Sequence, residues 1–283
     1  MEMVPWLVER IRDFVRNSPD NSLRNESGEK AWQDPLVGFA GGADPLFCRL
    51  KEDIGDFLWT PGEIFALTFP DRAALAETLT VVSWVLPQTE ATKEDNRRQN
   101  ARPAERWARS RKYGEEFNVL LAQHVVDILR GQGIDAVAPS LGSPLWGGRV
   151  SARYGFASTW SERHAAHAAG LGTFGLCDGL ITPAGKAMRC GSVVAAFSSV
   201  PPPRPYSDFH AHCLFFSSGT CGKCIPRCPV GAITERGHDK TRCRAFLFET
   251  LAADTKERFG FESYGCGLCQ TGVPCASGIP VNA

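Results

Sequence analysis

Eleven cysteines stand in a chain of 283 residues, and eight of them fall in the last 71. They form two groups: Cys213, Cys221, Cys224 and Cys228, then Cys243, Cys266, Cys269 and Cys275. Cysteines two residues apart suit soft metals, because one tight loop then supplies two thiolates to a single centre. Disulfides are the other use of dense cysteine, and they belong to oxidising compartments. The odd total fits a disulfide framework poorly. The opening Met1-Glu2-Met3-Val4-Pro5-Trp6 has neither the basic stretch nor the apolar stretch of a secretory signal. Metal binding in a reducing cytoplasm is the expectation.

The first group reads Cys213-x7-Cys221-x2-Cys224-x3-Cys228-Pro229. Its core resembles the bacterial ferredoxin run C-x2-C-x2-C-x3-C-P, with Ser218 where the first cysteine is expected and Cys213 as its replacement. The second group, Cys243 and then Cys266-x2-Cys269-x5-Cys275, is a stretched version of the same run. In two-cluster ferredoxins the cysteine before proline serves the neighbouring cluster. That rule gives Cys213, Cys221, Cys224 and Cys275 to one 4Fe–4S cluster, and Cys228, Cys243, Cys266 and Cys269 to another. The count closes at four plus four. Zinc is the alternative: the pairs Cys221/Cys224 and Cys266/Cys269 could build a zinc ribbon, which leaves four cysteines unexplained. Cys48, Cys177 and Cys190 lie outside both groups and read as small buried hydrophobes. Cys177 stands out because it sits in a glycine-rich segment.

That segment runs Glu162-Arg163-His164-Ala165-Ala166-His167-Ala168-Ala169-Gly170-Leu171-Gly172-Thr173-Phe174-Gly175-Leu176. It reads as a helix followed by glycines that let the backbone approach something flat or phosphate-bearing. Gly170-x-Gly172-x-x-Gly175 formally matches a dinucleotide fingerprint. It follows a helix instead of a strand, so the Rossmann context fails.

Taken together, Glu-Arg-x-x-Ala-x-x-Ala-Gly-Leu-Gly-x-x-Gly and the two cysteine groups resemble epoxyqueuosine reductase and, more distantly, the catalytic core of reductive dehalogenases. The likeness covers roughly residues 60–280, including Arg109–Tyr113, Thr241-Arg242-Cys243 and Tyr264-Gly265-Cys266-x2-Cys269-Gln270. It implies a nitroreductase-like domain holding cobalamin, with the nearer 4Fe–4S cluster feeding electrons to cobalt. It also implies Arg163, with Gly170, Gly172 and Gly175, at the corrinoid; the alternative for Arg163 is a helix-surface salt bridge to Glu162 or Glu115. The chain departs from the family at the catalytic aspartate, whose position, seven residues before Arg163, holds Phe156. Tyr154 and His164 are the nearest proton donors, and reductive dehalogenases use a tyrosine as acid. Their alternatives are a packed aromatic and a helix-face imidazole. The tRNA-binding helical repeat of many epoxyqueuosine reductases does not follow the cysteines, so epoxyqueuosine itself is not the expected substrate.

These groups need a scaffold, and the pattern of elements supplies an α/β (α+β) layer architecture. Val4, Leu7, Ile11 and Val15 mark an opening helix, and 17–35 read as a loop. Ile64–Phe69 and Val81–Leu86 read as strands, and Asp71 as the cap of a helix over Ala73–Leu79. Phe117 to Leu129 mark an amphipathic helix that ends at Gly131-Gln132-Gly133, with His124 near its apolar stripe as a core histidine. Ile134–Ala138, Leu180–Thr182 and Ser192–Phe197 read as strands. Thr159-x-x-Glu162 has the form of a capping box, opening a helix that Gly170 stops. Residues 93–112 carry eight Lys/Arg, with Arg98, Arg102 and Arg106 at i, i+4 spacing: a solvated helix face, or a basic surface for phosphate or an acidic partner. Pro201-Pro202-Pro203-Arg204-Pro205 is the best boundary. It divides an α/β domain over 1–200 from a ferredoxin-like domain with two 4Fe–4S clusters over 201–283.

Lys+Arg and Asp+Glu both number 31, so the net charge is zero and long-range attraction to nucleic acid or anionic membrane is not the default. No run of about 18–20 apolar residues marks a membrane span. The sequence therefore describes a cytoplasmic iron–sulfur oxidoreductase that passes electrons to a cobalamin and reduces a small electrophile. Its partners would be that substrate and a low-potential donor such as ferredoxin or flavodoxin, with no membrane and no nucleic acid. The alternative is a ferredoxin-type redox partner protein with neither cobalamin nor turnover. A protein stapled by structural metal ranks third, because a chain of this length needs no staple.

Overall fold

The computed structural model describes residues 2–72, 75–142 and 144–281. Helix α1 (Met3–Asn17) buries Leu7, Ile11 and Val15 as their spacing predicts. After the 17–35 loop come β1 (Leu36–Gly41), α2 (Pro45–Ile54), α3 (Pro61–Thr68), β2 (Thr80–Pro87), α4 (Glu90–Arg97) and the long α5 (Glu105–Gly131). Next are β3 (Ala136–Val137), a hairpin of β4 (Gly148–Ser151) and β5 (Gly155–Ser158), α6 (Glu162–Ala168), β6 (Thr173–Phe174), β7 (Leu180–Ile181) and β8 (Met188–Ala195). Residues 198–207 carry no regular structure beyond bends. The cysteine-rich part has short elements: α7 (Leu214–Ser217), β9 (Ile233–Thr234), β10 (Gly237–His238) and α8 (Lys240–Ala245). From α8 the helix continues through a π-type segment, Phe246–Leu251, into α9 (Ala252–Phe259).

The central sheet has the order β1-β2-β8-β3, and each pair is antiparallel. Alternation along β2 feeds two cores. Val82, Trp84 and Leu86 pack with α1 and with Phe117, Leu121, Val125 and Leu129 of α5. On the opposite side, Val81 packs with Leu46, Phe47, Ile64, Phe65 and Ala165 from α2, α3 and α6. All eight residues of β2 are buried, which is why it reads as one continuous apolar run. The Trp84 indole donates to Asn118 Oδ1 at 2.9 Å, and a Cβ on Gly191 would sit 2.5 Å from that ring.

Several expected elements come out differently. Ile64–Phe69 is helical. A six-residue apolar run does not distinguish strand from helix, and Thr60-Pro61-Gly62-Glu63 decides it: Pro61 fills the first turn, while Thr60 and Glu63 form a reciprocal capping box. Thr159-x-x-Glu162 forms no such box; α6 begins at Glu162 after Ser161, and the Glu162 carboxylate turns inward to accept from Ser192 Oγ. The strand placed at Ser192–Phe197 starts earlier, at Met188, and β7 pairs with β6 instead of with it. The helix expected over Ala73–Leu79 falls partly outside the described residues, with a 3-10 turn at Ala76–Thr78. Arg98, Arg102 and Arg106 share no helix face, because α4 ends at Arg97 and α5 starts at Glu105.

Most of that basic stretch is consumed internally. Arg102 pairs with Asp254 at 3.0 Å, Arg109 with Glu105 at 2.7 Å, and Arg106 with both Glu29 and Asp95. The Arg106 guanidinium pulls the Glu29 carboxyl down to about 2. A depressed folded-state value adds stability above the unfolded value near 4.5, and that gain is lost as pH falls through about 2. Both side chains are partly solvated, so the pair is worth about 1 kcal/mol. We expect Glu29→Gln to cost about that much in urea unfolding at neutral pH, with the difference shrinking as pH falls below about 4.5. A pH-independent difference would show that the effect is packing.

Candidate functional site

Cys213, Cys221, Cys224 and Cys275 line one small cavity, with Leu176, Ile181, Lys186 and Val273 among its walls. Cys213 caps α7, and Cys221 and Cys224 sit in the turns that follow it. Cys275 arrives from the last loop of the described chain, which is fixed by Lys186 N–H to the Cys275 carbonyl at 2.8 Å and Ala187 N–H to the Ala276 carbonyl at 3.3 Å. Gly185 makes that docking possible: at φ +87, its Cβ would lie 2.2 Å from the Ala276 carbonyl oxygen.

Cys228, Cys243, Cys266 and Cys269 gather beside it. Burial pushes the Cys266 thiol up to about 12, and the neighbouring Cys243 and Cys228 add to the shift. Cys228 Sγ accepts from Ala232 N–H at 3.2 Å, and Cys243 lies on α8. The Cys266–Cys269 loop rests on α5. Gly267 has φ +65, and its Cβ would fall 1.9 Å from the Trp107 ring. Asn96 donates to Thr271 Oγ1 at 3.1 Å. Arg227 clamps the assembly, donating to the carbonyls of Leu268 and Thr271 at 3.1 Å and of Gln99 at 2.8 Å.

These residues fit iron–sulfur clusters. The first four thiols surround a cavity with apolar walls. Beside the second group, against Gly267, Trp107 Nε1 is buried with no hydrogen-bond partner, a donor that cluster sulfur would satisfy. Cys177 and Lys186 join this region without having been placed in it by spacing. Cys177 lies beside the Cys224 and Cys269 thiols, and Lys186 Nζ donates to Cys177 Sγ at 3.2 Å. Cys190 is buried in another core, and Cys48 is exposed.

The Glu162–Gly175 segment lies against the sheet. Arg163 is exposed and makes neither of the salt bridges considered for it. Glu162 is turned to Ser192, and Glu115 binds Arg189 and Arg111. The Arg163 charge is felt at Arg111, Asp178 and Cys190, so it stands over the same face as Arg111 and Arg189. A free guanidinium beside two others suits the amide and phosphate oxygens at a corrinoid's edge. Local packing accounts for two of the three glycines: a Cβ on Gly172 would meet the Ile181 carbonyl oxygen at 2.4 Å, and one on Gly175 would meet Ile181 Cδ1 at 3.2 Å. Gly170, at φ +77, stops α6.

The two candidate acids differ sharply. Tyr154 sits at the β4–β5 turn and donates to Asp53 Oδ2 at 2.6 Å. Burial and the Asp53 carboxylate push it up to about 12, so it keeps its proton. His164 is packed between Ser161 Oγ and the Phe174 ring, and burial pushes it down to about 3, with His167 adding to the shift. It is a neutral imidazole at pH 7. A third group was missed: burial pushes the Glu162 carboxyl up to about 7, and its Oε1 has no partner. No sequence pattern marks such a group, because its burial comes from β8 packing over it.

Phe156 is 40% exposed. The Arg244 guanidinium lies 5.0 Å over its ring and 4.7 Å over Phe248, which stacks on Tyr264 at 4.8 Å. This ladder flanks Cys243 and Cys266 in sequence and joins the hairpin to the helix after α8.

Gly267 gives a direct test of the α5 docking. Gly267→Ala should cost about 2–3 kcal/mol in chemical unfolding, because strain at positive φ and overlap with Trp107 act together. Gly133→Ala, at φ +76 but in open space, should cost only about 1 kcal/mol. Equal costs would mean that Trp107 yields freely.

No family model matches the chain. Over 124 residues it is 33% identical to an epoxyqueuosine reductase of Bacillus anthracis, covering 42% of this chain and 30% of that protein. The match thus spans less than a third of the curated relative. An epoxyqueuosine reductase solved with an epoxyqueuosine-modified tRNA-Tyr stem loop superposes with a TM-score of 0.52 at 19% identity, over 99% of this chain and 68% of that one. A reductive dehalogenase structure, described as suggesting a mechanism for B12-dependent dehalogenation, gives a TM-score of 0.50 at 17% identity, over 87% and 30%. Among the described residues, no helix is long and apolar enough to cross a membrane. The chain is similar to epoxyqueuosine reductase in sequence and has a fold similar to those of epoxyqueuosine reductase and reductive dehalogenase.

Proposed function

We propose that the protein is an iron–sulfur reductase in which two 4Fe–4S clusters pass electrons to a cobalamin that reduces a small electrophilic substrate. The observation that carries this reading is the four-cysteine cavity, with the second cysteine group beside it and the exposed Arg163 near Arg111 and Cys190 on the same molecule. The division of labour follows the boundary near residue 200: residues 1–200 hold the corrinoid and substrate, and 201–283 supply six cysteines and the closing Cys269 and Cys275. When bound, the cobalamin supplies a strongly reducing cobalt centre. Arg163 holds its edge, with Arg111 and Arg189 behind. Gly170, Gly172 and Gly175 shape the turn under Arg163 by packing. Tyr154 holds the proton to be delivered, and Asp53 orients its hydroxyl. His164, uncharged at neutral pH, supports the helix that presents Arg163. A low-potential one-electron donor of the ferredoxin or flavodoxin kind supplies the electrons.

The first measurement is iron, acid-labile sulfide and cobalt per chain, after purification without oxygen and incubation with cobalamin. We expect about eight irons and about one cobalt. Arg163→Ala should weaken cobalamin uptake about tenfold. Tyr154→Phe should lower turnover about 100-fold with uptake unchanged. Iron without cobalt would turn the assignment to an electron-transfer protein, and zinc in place of iron would end it.

A second reading concerns what bears the electrophile. Zero net charge removes long-range attraction to RNA, but the Phe156–Arg244–Phe248–Tyr264 ladder is the kind of surface on which bases stack. The tRNA stem loop held by a fold relative makes an RNA-borne group the case to examine. A labelled tRNA stem loop should bind, and Phe156→Ala, at an exposed end of the ladder, should weaken it about tenfold, the value of one lost stack. Absence of binding by the unaltered protein at low salt would remove RNA from consideration.

A further inference from the structure

Lys186 is only 2% exposed, yet its ammonium faces no carboxylate. Its Nζ donates to Cys177 Sγ at 3.2 Å and also reaches the Cys275 thiol. It lines the same cavity as Cys213, Cys221, Cys224 and Cys275. The structure makes room for it: a Cβ on Gly179 would lie 2.6 Å from Lys186 Cδ. Lys93, the other deeply buried lysine, has Glu90 as counter-charge at 2.5 Å. A buried ammonium with no carboxylate counter-charge is costly, so the negative charge that stabilises Lys186 comes from the sulfur-lined space before it, Cys177 included. Cys177, bonded to Lys186 and lying beside the Cys224 and Cys269 thiols, places the charge next to one thiol from each group.

We propose that Lys186 is a redox-positioning residue, a fixed buried positive charge that raises the reduction potential of the cluster held by Cys213, Cys221, Cys224 and Cys275. Cys177 orients it and belongs to neither set of four ligands. The argument rests on the two-cluster reading given above. On reduction, one electron from the external donor enters a cluster that is already anionic, and no bond is made or broken. The added negative charge is stabilised by the ammonium beside it, as charge and N–H···S bonds near a cluster do in general. The electron is thereby biased toward the cavity cluster over its neighbour.

The test is a dithionite titration of anaerobically prepared protein, with the reduced clusters followed by paramagnetic resonance and iron and sulfide counted in each sample. In Lys186→Met, the reduction equilibrium of one cluster should fall at least about tenfold, about 59 mV for a one-electron couple. The other cluster should move less, and Lys186→Arg should stay within about threefold of the unaltered protein. Unchanged potentials in fully loaded Lys186→Met overturn the proposal. If Lys186→Met loses iron, Lys186→Arg decides: retained iron and potential assign the effect to charge, whereas loss in both overturns it. Unaltered protein without iron and sulfide would instead overturn the cluster reading itself, and this inference with it.

Discussion

Two cysteine groups separated in sequence come together in the fold, and much of the cysteine-rich part serves to hold them there. Cys275 has to reach a cavity whose other thiols lie more than fifty residues earlier. The last loop achieves this through backbone hydrogen bonds to Lys186 and Ala187, at a turn where only glycine fits. The Cys266–Cys269 loop is held by a different device, a glycine seated against the Trp107 ring with Arg227 capping several carbonyls at once. Both devices draw on the sheet-and-helix scaffold. The thiol groups are therefore positioned by residues outside the cysteine motifs.

The scaffold is organised for this presentation. The fully buried β2 and the long α5 form the centre, and α5 offers Trp107 to the cysteine loop near one end, Arg111 one turn further on and Glu115 two turns further on, where it pairs with Arg189. Packing on the other side of the sheet sets α6 so that Glu162 points in and Arg163 points out. Neighbouring residues thus have opposite fates: a buried carboxyl that holds its proton near neutral pH, and an exposed guanidinium without an ion-pair partner.

Legibility from sequence followed the strength of the local signal. Helical spacing at Leu7, Ile11 and Val15 and at Phe117 to Leu129 gave correct helices, and the Val81–Leu86 run gave a correct strand. Ile64–Phe69 misleads because its apolar run taken alone fits a strand, whereas the Thr60–Glu63 capping pair before it starts a helix. Thr159–Glu162 misled in the opposite sense: the pattern was present, but burial of Glu162 against Ser192 outweighed a cap. The i, i+4 arginines looked like one face until the chain broke between α4 and α5.

By itself the sequence determined the metal chemistry to consider, since cysteine number and spacing are local facts and thiolates two residues apart act through one loop. It also determined the family likeness, carried by a contiguous segment. Only the tertiary structure decided which side chains surround each thiol. It brought Lys186 to the cavity wall with Cys177 against it, left Arg163 unpaired, gave Tyr154 its partner Asp53 and stacked Arg244 between Phe156 and Phe248. Burial, charge neighbours and orphaned donors depend on residues far apart in the chain, so no spacing rule encodes them.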